Sequence, residues 1–470
     1  MTNTPTFVLT RGPGAALADQ IVHAVAARVD DRLLPAGARM PSIRQFAASH
    51  GVSAFTVVAS YDRLVAQGYL ESRRGAGFFV RARQPVAATS ASAAAPAAPP
   101  ATLDIAWLVR SMFRQAALGP VPGGGVLPGS WLDGEALGNA LRTLSRQNCD
   151  SLLNYGAPQG FLPLRQQLQH KLAALEIDAP PEQLVTTLGV TQALDLIARE
   201  FCQPGDTVLV DDPAWFLMFG SFAALGLKVV GVPRLADGPD LAELERLAAL
   251  HRPRLFVVNS VLHNPSSTSI SAAKAFQVLR LSEQHDFLVV EDDIYCDLHP
   301  GGATRLAALD GLRRVLYLGG FSKSMAANLR VGFVAASPER VARLADRKML
   351  ATLSTSDLGE RVVHKILGEG HYRKHLDRLR ARLDAQRPKA LRRLEGLGMR
   401  VDPAPAAGMF LWVDAGCDTN ALTARALQQD LVLAPGSLFS PGHRPSTRMR
   451  LNVAALQDPA VWRFLESVRG

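Results

Sequence analysis

An α/β fold with a mostly parallel sheet is predicted for most of this chain, with a separate small module at its N-terminus. Three observations carry that expectation. From residue 184 to 335, short apolar runs alternate with helix-patterned segments, the rhythm of a parallel sheet with crossover helices. Residues 17–80 read as helices broken by a glycine turn and followed by a hairpin. Between the two, residues 84–101 are almost entirely alanine, proline, serine and threonine. That segment has nothing with which to form a core, and fully extended it spans roughly 60 Å.

The small module is justified element by element. Leu17–Val29 has helical apolar periodicity. Ser42, after Pro41, is an N-cap for a second helix through His50, and Gly51 permits a sharp turn. Ser53 caps a third helix that runs through Gln67. A helix, a short turn and a second helix form the geometry that lays a helix in a DNA major groove. Tyr69–Val80 reads as a β-hairpin wing with glycines at its tip. Residues 1–83 carry ten arginines against five acidic groups, a balance suited to a polyanion.

Leu34-Pro-Ala-Gly-Ala-Arg-Met-Pro-Ser-Ile-Arg44 matches the approach to the second helix of the GntR winged helix-turn-helix, and about 65 residues resemble that family. The resemblance implies DNA contacts from Arg44, Ser53 and Thr56, and from Gly75 and Gly77 in the wing. Ala54 and Phe55 follow Ser53 where the family usually has an arginine, so one polar contact is absent.

In the large domain the expected strands are Leu184–Thr187, Thr207–Val210, Leu255–Asn259, Phe287–Val290, Val315–Leu318 and Val331–Ala335, with helices such as Gln192–Phe201 and Ala272–His285 between them. From about 358 to 397 the chain turns helical and charged, and a shorter α+β tail follows as a second subdomain. The polar residues of interest fall just after strands, where open α/β sheets bind ligands. Lys323 follows Val315–Leu318 among small residues, and it is one of only eight lysines. A lysine pressed into such a site loses affinity for its proton and attacks aldehydes.

The other segments supply what pyridoxal 5'-phosphate needs. Gly189, Val190 and Thr191 open a helix and offer amides and a hydroxyl to its phosphate, helped by Ser322 and Arg330. Trp215 offers a flat face to the ring. Asp292 pairs with the pyridine N–H and keeps the ring an electron sink. Asn264 and Tyr295 serve as donors to the ring hydroxyl oxygen.

Asp292-Asp-Ile-Tyr295, Ser322-Lys323, Arg330 seven residues on, and Asn154-Tyr-Gly-Ala-Pro-Gln-Gly160 resemble motifs of the fold-type-I aminotransferases over residues 105–470. That resemblance implies an aldimine on Lys323, a homodimer in which Tyr155 reaches the neighbouring subunit's cofactor phosphate, and an α-carboxylate clamp at Arg450 within Arg448-Met-Arg-Leu-Asn-Val-Ala454. The chain departs from the family at three places: Asn264-Pro-Ser-Ser267 lacks a usual glycine, Val190 replaces a hydroxyl residue, and Gly320 replaces a frequent serine.

The expected domains are therefore 1–83, a DNA-binding winged helix; 84–101, a linker; and 102–470, an aminotransferase-like domain. The fusion is similar to the MocR subfamily of GntR regulators. The resemblance implies a regulator that binds double-stranded DNA and senses an amino compound or the cofactor; the alternative is an active aminotransferase carrying a DNA-binding domain. The composition fits a cytoplasmic protein. It is 48% apolar and 20% charged with net charge +9, and it shows no long apolar span and no signal-peptide pattern. The cysteines, Cys149, Cys202, Cys296 and Cys417, have neither disulfide-framework nor metal-site spacing.

Overall fold

The computed structural model describes residues 9–10, 15–82, 110, 121–146 and 153–468. The linker at 84–101, the first residues Met1–Phe7 and Cys149 lie outside the described residues. Chain contacts divide the molecule into two compact units, Met1–Ala98 and Pro99–Gly470.

In the first unit the helices are Leu17–Asp30, Ile43–His50 and Ala54–Ala66. Their boundaries follow from local chemistry. The Ser42 hydroxyl accepts from the Gln45 amide (3.3 Å) while Gln45 Oε1 accepts from the Ser42 amide (3.1 Å), so two otherwise orphaned donors are satisfied reciprocally. Gly51, at φ +63°, ends that helix in the left-handed conformation. Ser53 Oγ caps the third helix by accepting from the Thr56 amide at 3.0 Å. Strands β1 (Leu70–Arg73) and β2 (Gly77–Val80) pair antiparallel, with Gly75 and Gly77 at positive φ in the wing. Ile21, Val25, Phe46, Val57, Tyr61 and Leu64 are fully buried, and Tyr61 meets Phe46 and Phe78 edge-on.

The second unit is built on an eight-stranded sheet. Its strands are β3 (Leu184–Thr187), β4 (Thr207–Asp212), β5 (Lys228–Leu235), β6 (Gly238–Pro239), β7 (Leu255–Val258), β8 (Leu288–Asp292), β9 (Val315–Gly320) and β10 (Gly332–Ala335). The order is β3-β10-β9-β8-β7-β4-β5-β6. β4, β5, β7, β8 and β9 pair in parallel, while β10 runs antiparallel to both of its neighbours, as β6 does to β5. The expected mostly parallel sheet is thus observed with one reversed strand inside it. Only about a dozen residues separate β9 from β10. They hold a turn rather than a crossover helix, and a short connection joins strands of opposite direction.

β5 was not anticipated from the sequence. Its residues are exposed or partly buried apart from Val232, and it contains Gly231 and Pro233, which weakens the apolar signal of a strand near the sheet edge. The charged stretch forms two helices, Asp357–Gly368 and His371–Gly396. Beyond them β11 (Arg400–Val401), β12 (Phe410–Asp414), β13 (Ala434–Pro435) and β14 (Arg448–Asn452) form a smaller antiparallel sheet in the order β11-β12-β14-β13. Among the described residues no helix is long and apolar enough to cross a membrane, and no group of metal-ligating side chains converges.

Candidate functional site

The carboxyl ends of β3, β4, β7, β8 and β9 point to one edge of the large sheet, and the residues that follow them line a single cavity of about 1320 Å³. Val190, Thr191, Trp215, Asn264, Asp292, Tyr295, Ser322, Lys323, Arg330 and Arg450 all border it. Arg450 arrives from the smaller sheet, at the centre of β14 opposite Trp412.

Lys323 is half-buried, and its Nζ donates to the Gly125 carbonyl at 2.7 Å. Burial, together with the positive charges of Arg450 and Arg330, lowers its pKa to about 8, against a partial opposing effect of Asp292. The Asp292 carboxyl is buried and pushed up to about 7, chiefly by desolvation, while a hydrogen bond from the Ile294 amide (3.1 Å) favours its ionised form. Asn264 Nδ2 donates to the Tyr295 hydroxyl at 3.2 Å, and Tyr295 packs edge-on against Phe410. Burial raises the Tyr295 pKa above the ordinary phenol value.

Arg450 is 2% exposed. Its guanidinium lies between the Phe410 and Phe439 rings, 4.5 and 5.0 Å from their centroids. One Nη donates to Asn264 Oδ1 at 2.8 Å and the other to the Gly123 carbonyl at 2.6 Å. Nε is buried with no partner. Desolvation lowers its pKa to about 10 without removing its charge at neutral pH.

The helix Gly189–Phe201 presents its N-terminus to the cavity through Val190 and Thr191, and there amide donors and the helix dipole favour an anion. Gly189 has φ +75°, and a Cβ there would stand 2.9 Å from Arg330 Nη2. Arg330 itself adopts φ +51° and donates to the Leu188 carbonyl at 2.8 Å, bringing its charge beside that helix start. Gly189→Ala is therefore expected to lose about 1–2 kcal/mol of stability from the left-handed backbone alone, a loss that denaturant unfolding checks. Gly320, where a serine is frequent in the family, is a close-packed position. A Cβ would approach Ile294 Cδ1 to 2.9 Å and the Val331 carbonyl to 3.2 Å.

Tyr155 lies apart from this group. It is 82% exposed and does not border the cavity. In the small unit Arg44 and Ser53 are exposed and Thr56 is partly buried. The Ser53 and Thr56 hydroxyls are 2.7 Å apart, engaged with each other as well as in capping.

Sequence reasoning missed two parts of the site. The glycine-rich segment Gly123–Gly125 reaches it from far upstream, offering carbonyls to Arg450 and Lys323. Asn259 was counted only as a strand end. It bridges the two chemical segments, its Nδ2 donating to the Asp292 carbonyl (2.6 Å) and its Oδ1 accepting from the Asn264 amide (2.7 Å). Its polarity at the end of an otherwise apolar strand was the signal available.

The profile of aminotransferase class I and II matches residues 130–468. The chain belongs to that family. The profile of the GntR family of bacterial regulatory proteins matches residues 17–80. This aminotransferase-family chain is thus a GntR-type regulator fused to an aminotransferase domain, the arrangement of the MocR-type regulators. It is 33% identical to a 2-aminoadipate transaminase of Thermus thermophilus over 342 residues, covering 70% of this chain and 83% of that one. It is 27% identical to the HTH-type transcriptional regulator YdfD of Bacillus subtilis over 460 residues, covering 93% of each. Among solved structures, the α-aminoadipate aminotransferase LysN of Thermus thermophilus, complexed with N-(5'-phosphopyridoxyl)-L-leucine, superposes with a TM-score of 0.69 at 27% identity, over 79% of this chain and 96% of that one.

Proposed function

We propose that the aminotransferase domain of this regulator holds pyridoxal 5'-phosphate at Lys323 and reports an amino compound, or the cofactor itself, to the DNA-binding unit. The observation that carries this reading is the meeting of Lys323, Asp292, Asn264, Tyr295, Arg330 and Arg450 around one cavity. The residues suit the group: an anion-favouring helix start with Arg330 beside it, a buried carboxyl for a ring nitrogen, and an amine of lowered pKa, all bordering the one cavity. When bound, pyridoxal phosphate supplies an aldehyde that captures amines and a pyridine ring that withdraws electrons.

The chain's own residues then have distinct tasks. Gly189, Val190, Thr191, Ser322 and Arg330 hold the phosphate. Trp215 covers the ring. Asp292 keeps the ring nitrogen protonated, and Asn264 and Tyr295 donate to the ring oxygen. Arg450 holds the effector carboxylate, its buried unpartnered Nε being a donor in reserve. Lys323 would hold the cofactor's aldehyde, and its amine, of lowered pKa, would be the chain's base for moving a proton on a bound effector. Arg44, Ser53, Thr56, Gly75 and Gly77 make the DNA contacts. With these assignments go domains of 1–83 and 102–470 joined by the linker, a cytoplasmic location, and a homodimer in which the exposed Tyr155 reaches the second subunit's phosphate. An effector acts by favouring one arrangement of the two units over another.

Active transamination is the second reading, favoured by the carboxylate clamp, which an enzyme also requires. Visible absorption separates the two. Addition of amino acids, then of a 2-oxo acid, that bleaches and fully restores the lysine-bound band with release of keto product indicates turnover. A stable shifted band without product indicates sensing, and it should be accompanied by a changed DNA footprint. Absence of any band after supplying the cofactor sinks the assignment of Lys323.

The lowered lysine pKa has a pH consequence. Only the neutral amine attacks an aldehyde. The rate of cofactor uptake by cofactor-free protein should therefore rise with pH and level off above about 8 rather than above the ordinary 10.5. Because the Arg450 charge contributes to that lowering, Arg450→Gln should move the midpoint upward. Stopped-flow absorbance across a pH series reads both values.

A further inference from the structure

We propose that Phe55 is a base-reading residue of the DNA-binding unit, contacting the C5-methyl of thymine in the major groove. The proposal deepens the DNA-binding reading and rests on it. Phe55 is 83% exposed, the most exposed large apolar side chain among the described residues. It takes no part in the core of its unit, which closes on Phe46, Val57, Tyr61 and Leu64. Val58, on the same helix face one turn on, is also exposed, at 37%.

Position and charge identify the occupant. Phe55 lies in the first turn of the helix Ala54–Ala66, the second helix of the helix-turn-helix, whose N-terminal residues meet base edges. The two hydroxyls that flank it, on Ser53 and Thr56, are engaged with each other and with the helix cap. Beside those hydroxyls, the exposed side chains of this face are apolar: the Ala54 methyl, the Phe55 ring and the Val58 methyls. On the major-groove edges of the bases the apolar group is the thymine methyl. The excess of arginine over acidic residues in residues 1–83 favours a polyanion over a second protein as what covers this ring. The ring stands beside Ala54, which directly follows Val52-Ser53 where the family usually has an arginine.

The test begins with a random duplex pool enriched on the full-length protein. In the enriched duplex each thymine is replaced singly by deoxyuridine, which lacks only the methyl. Wild-type affinity is expected to fall about four-fold at one thymine of a half-site, and about fifteen-fold when both half-sites are substituted, the worth of burying one and two methyl groups. Phe55→Ala should bind the enriched duplex more weakly and show no loss at that base, with an unchanged thermal midpoint because the side chain is exposed. Uracil insensitivity of the wild type, or the same uracil loss in both proteins, overturns the assignment and leaves DNA binding standing. Failure of the wild type to enrich any sequence overturns the DNA reading and this proposal with it. An unaltered uracil response with altered oligomeric mass in Phe55→Ala overturns it in favour of a contact with a second copy.

Discussion

Lys323→Ala is expected to abolish the visible band of the cofactor-loaded protein and to lower any conversion of amino acid to 2-oxo acid by about 10²–10⁴-fold, the usual worth of a positioned proton-transfer group. The loss should not come from unfolding. Lys323 is half-buried, its hydrogen-bond partner among the described residues is the Gly125 carbonyl, and removing the amine leaves that carbonyl lining a large cavity. Lys323→Arg separates charge from chemistry. It keeps a cation beside Asp292 but has no amine that can be deprotonated, so it should also lack the band. Borohydride treatment followed by peptide mass measurement gives an independent reading, with the added mass on the peptide containing residue 323 in the wild type and nowhere in either variant. If the variants retain the band, another amine carries the cofactor. Lys348 is the natural suspect, since it is fully buried with its pKa lowered to about 8. Its Nζ, however, donates to the Thr186 carbonyl, and it does not border the cavity.

Arg450→Gln is expected to weaken the response to α-amino acids by roughly 10- to 150-fold, corresponding to loss of a charge-assisted pair worth about 1.5–3 kcal/mol. A primary amine without a carboxylate should respond as in the wild type, and that contrast distinguishes a clamp from a merely structural arginine. Structural damage is a real competitor here, because Arg450 also ties Gly123 and Asn264 together and fills the space between two phenylalanine rings. Arg450→Lys retains charge and some packing but not the planar fork, so it should restore stability more than carboxylate affinity. Equal losses for amino acid and amine would show that the residue acts only by shaping the site.

Much of this protein is legible along the chain because its signals are local. Ser42 and Ser53 were readable as helix caps, since a cap needs only its next three residues. The polar residues after successive strands were readable as a group because parallel strands carry their carboxyl ends to the same edge. The partners of those residues were not readable. Lys323 and Gly125 lie 198 positions apart, and Arg450 and Gly123 lie 327 apart. No periodicity links such pairs.

The amino-acid sequence by itself determined the two kinds of unit, most of their elements in order, and the charged and aromatic residues of the site. These depend on apolar patterning, capping and residue type. Only the tertiary structure decided that β10 runs against its neighbours, that Asn259 joins Asp292 to Asn264, that Gly320 packs closely against Ile294 and the Val331 carbonyl, and that Phe55 stands in solvent on the helix Ala54–Ala66. It also set the lowered pKa of Lys323 and the raised pKa of Asp292. The reason is common to all of them: burial and charge at a residue are set by groups brought from elsewhere in the chain, and those meet only when the fold closes.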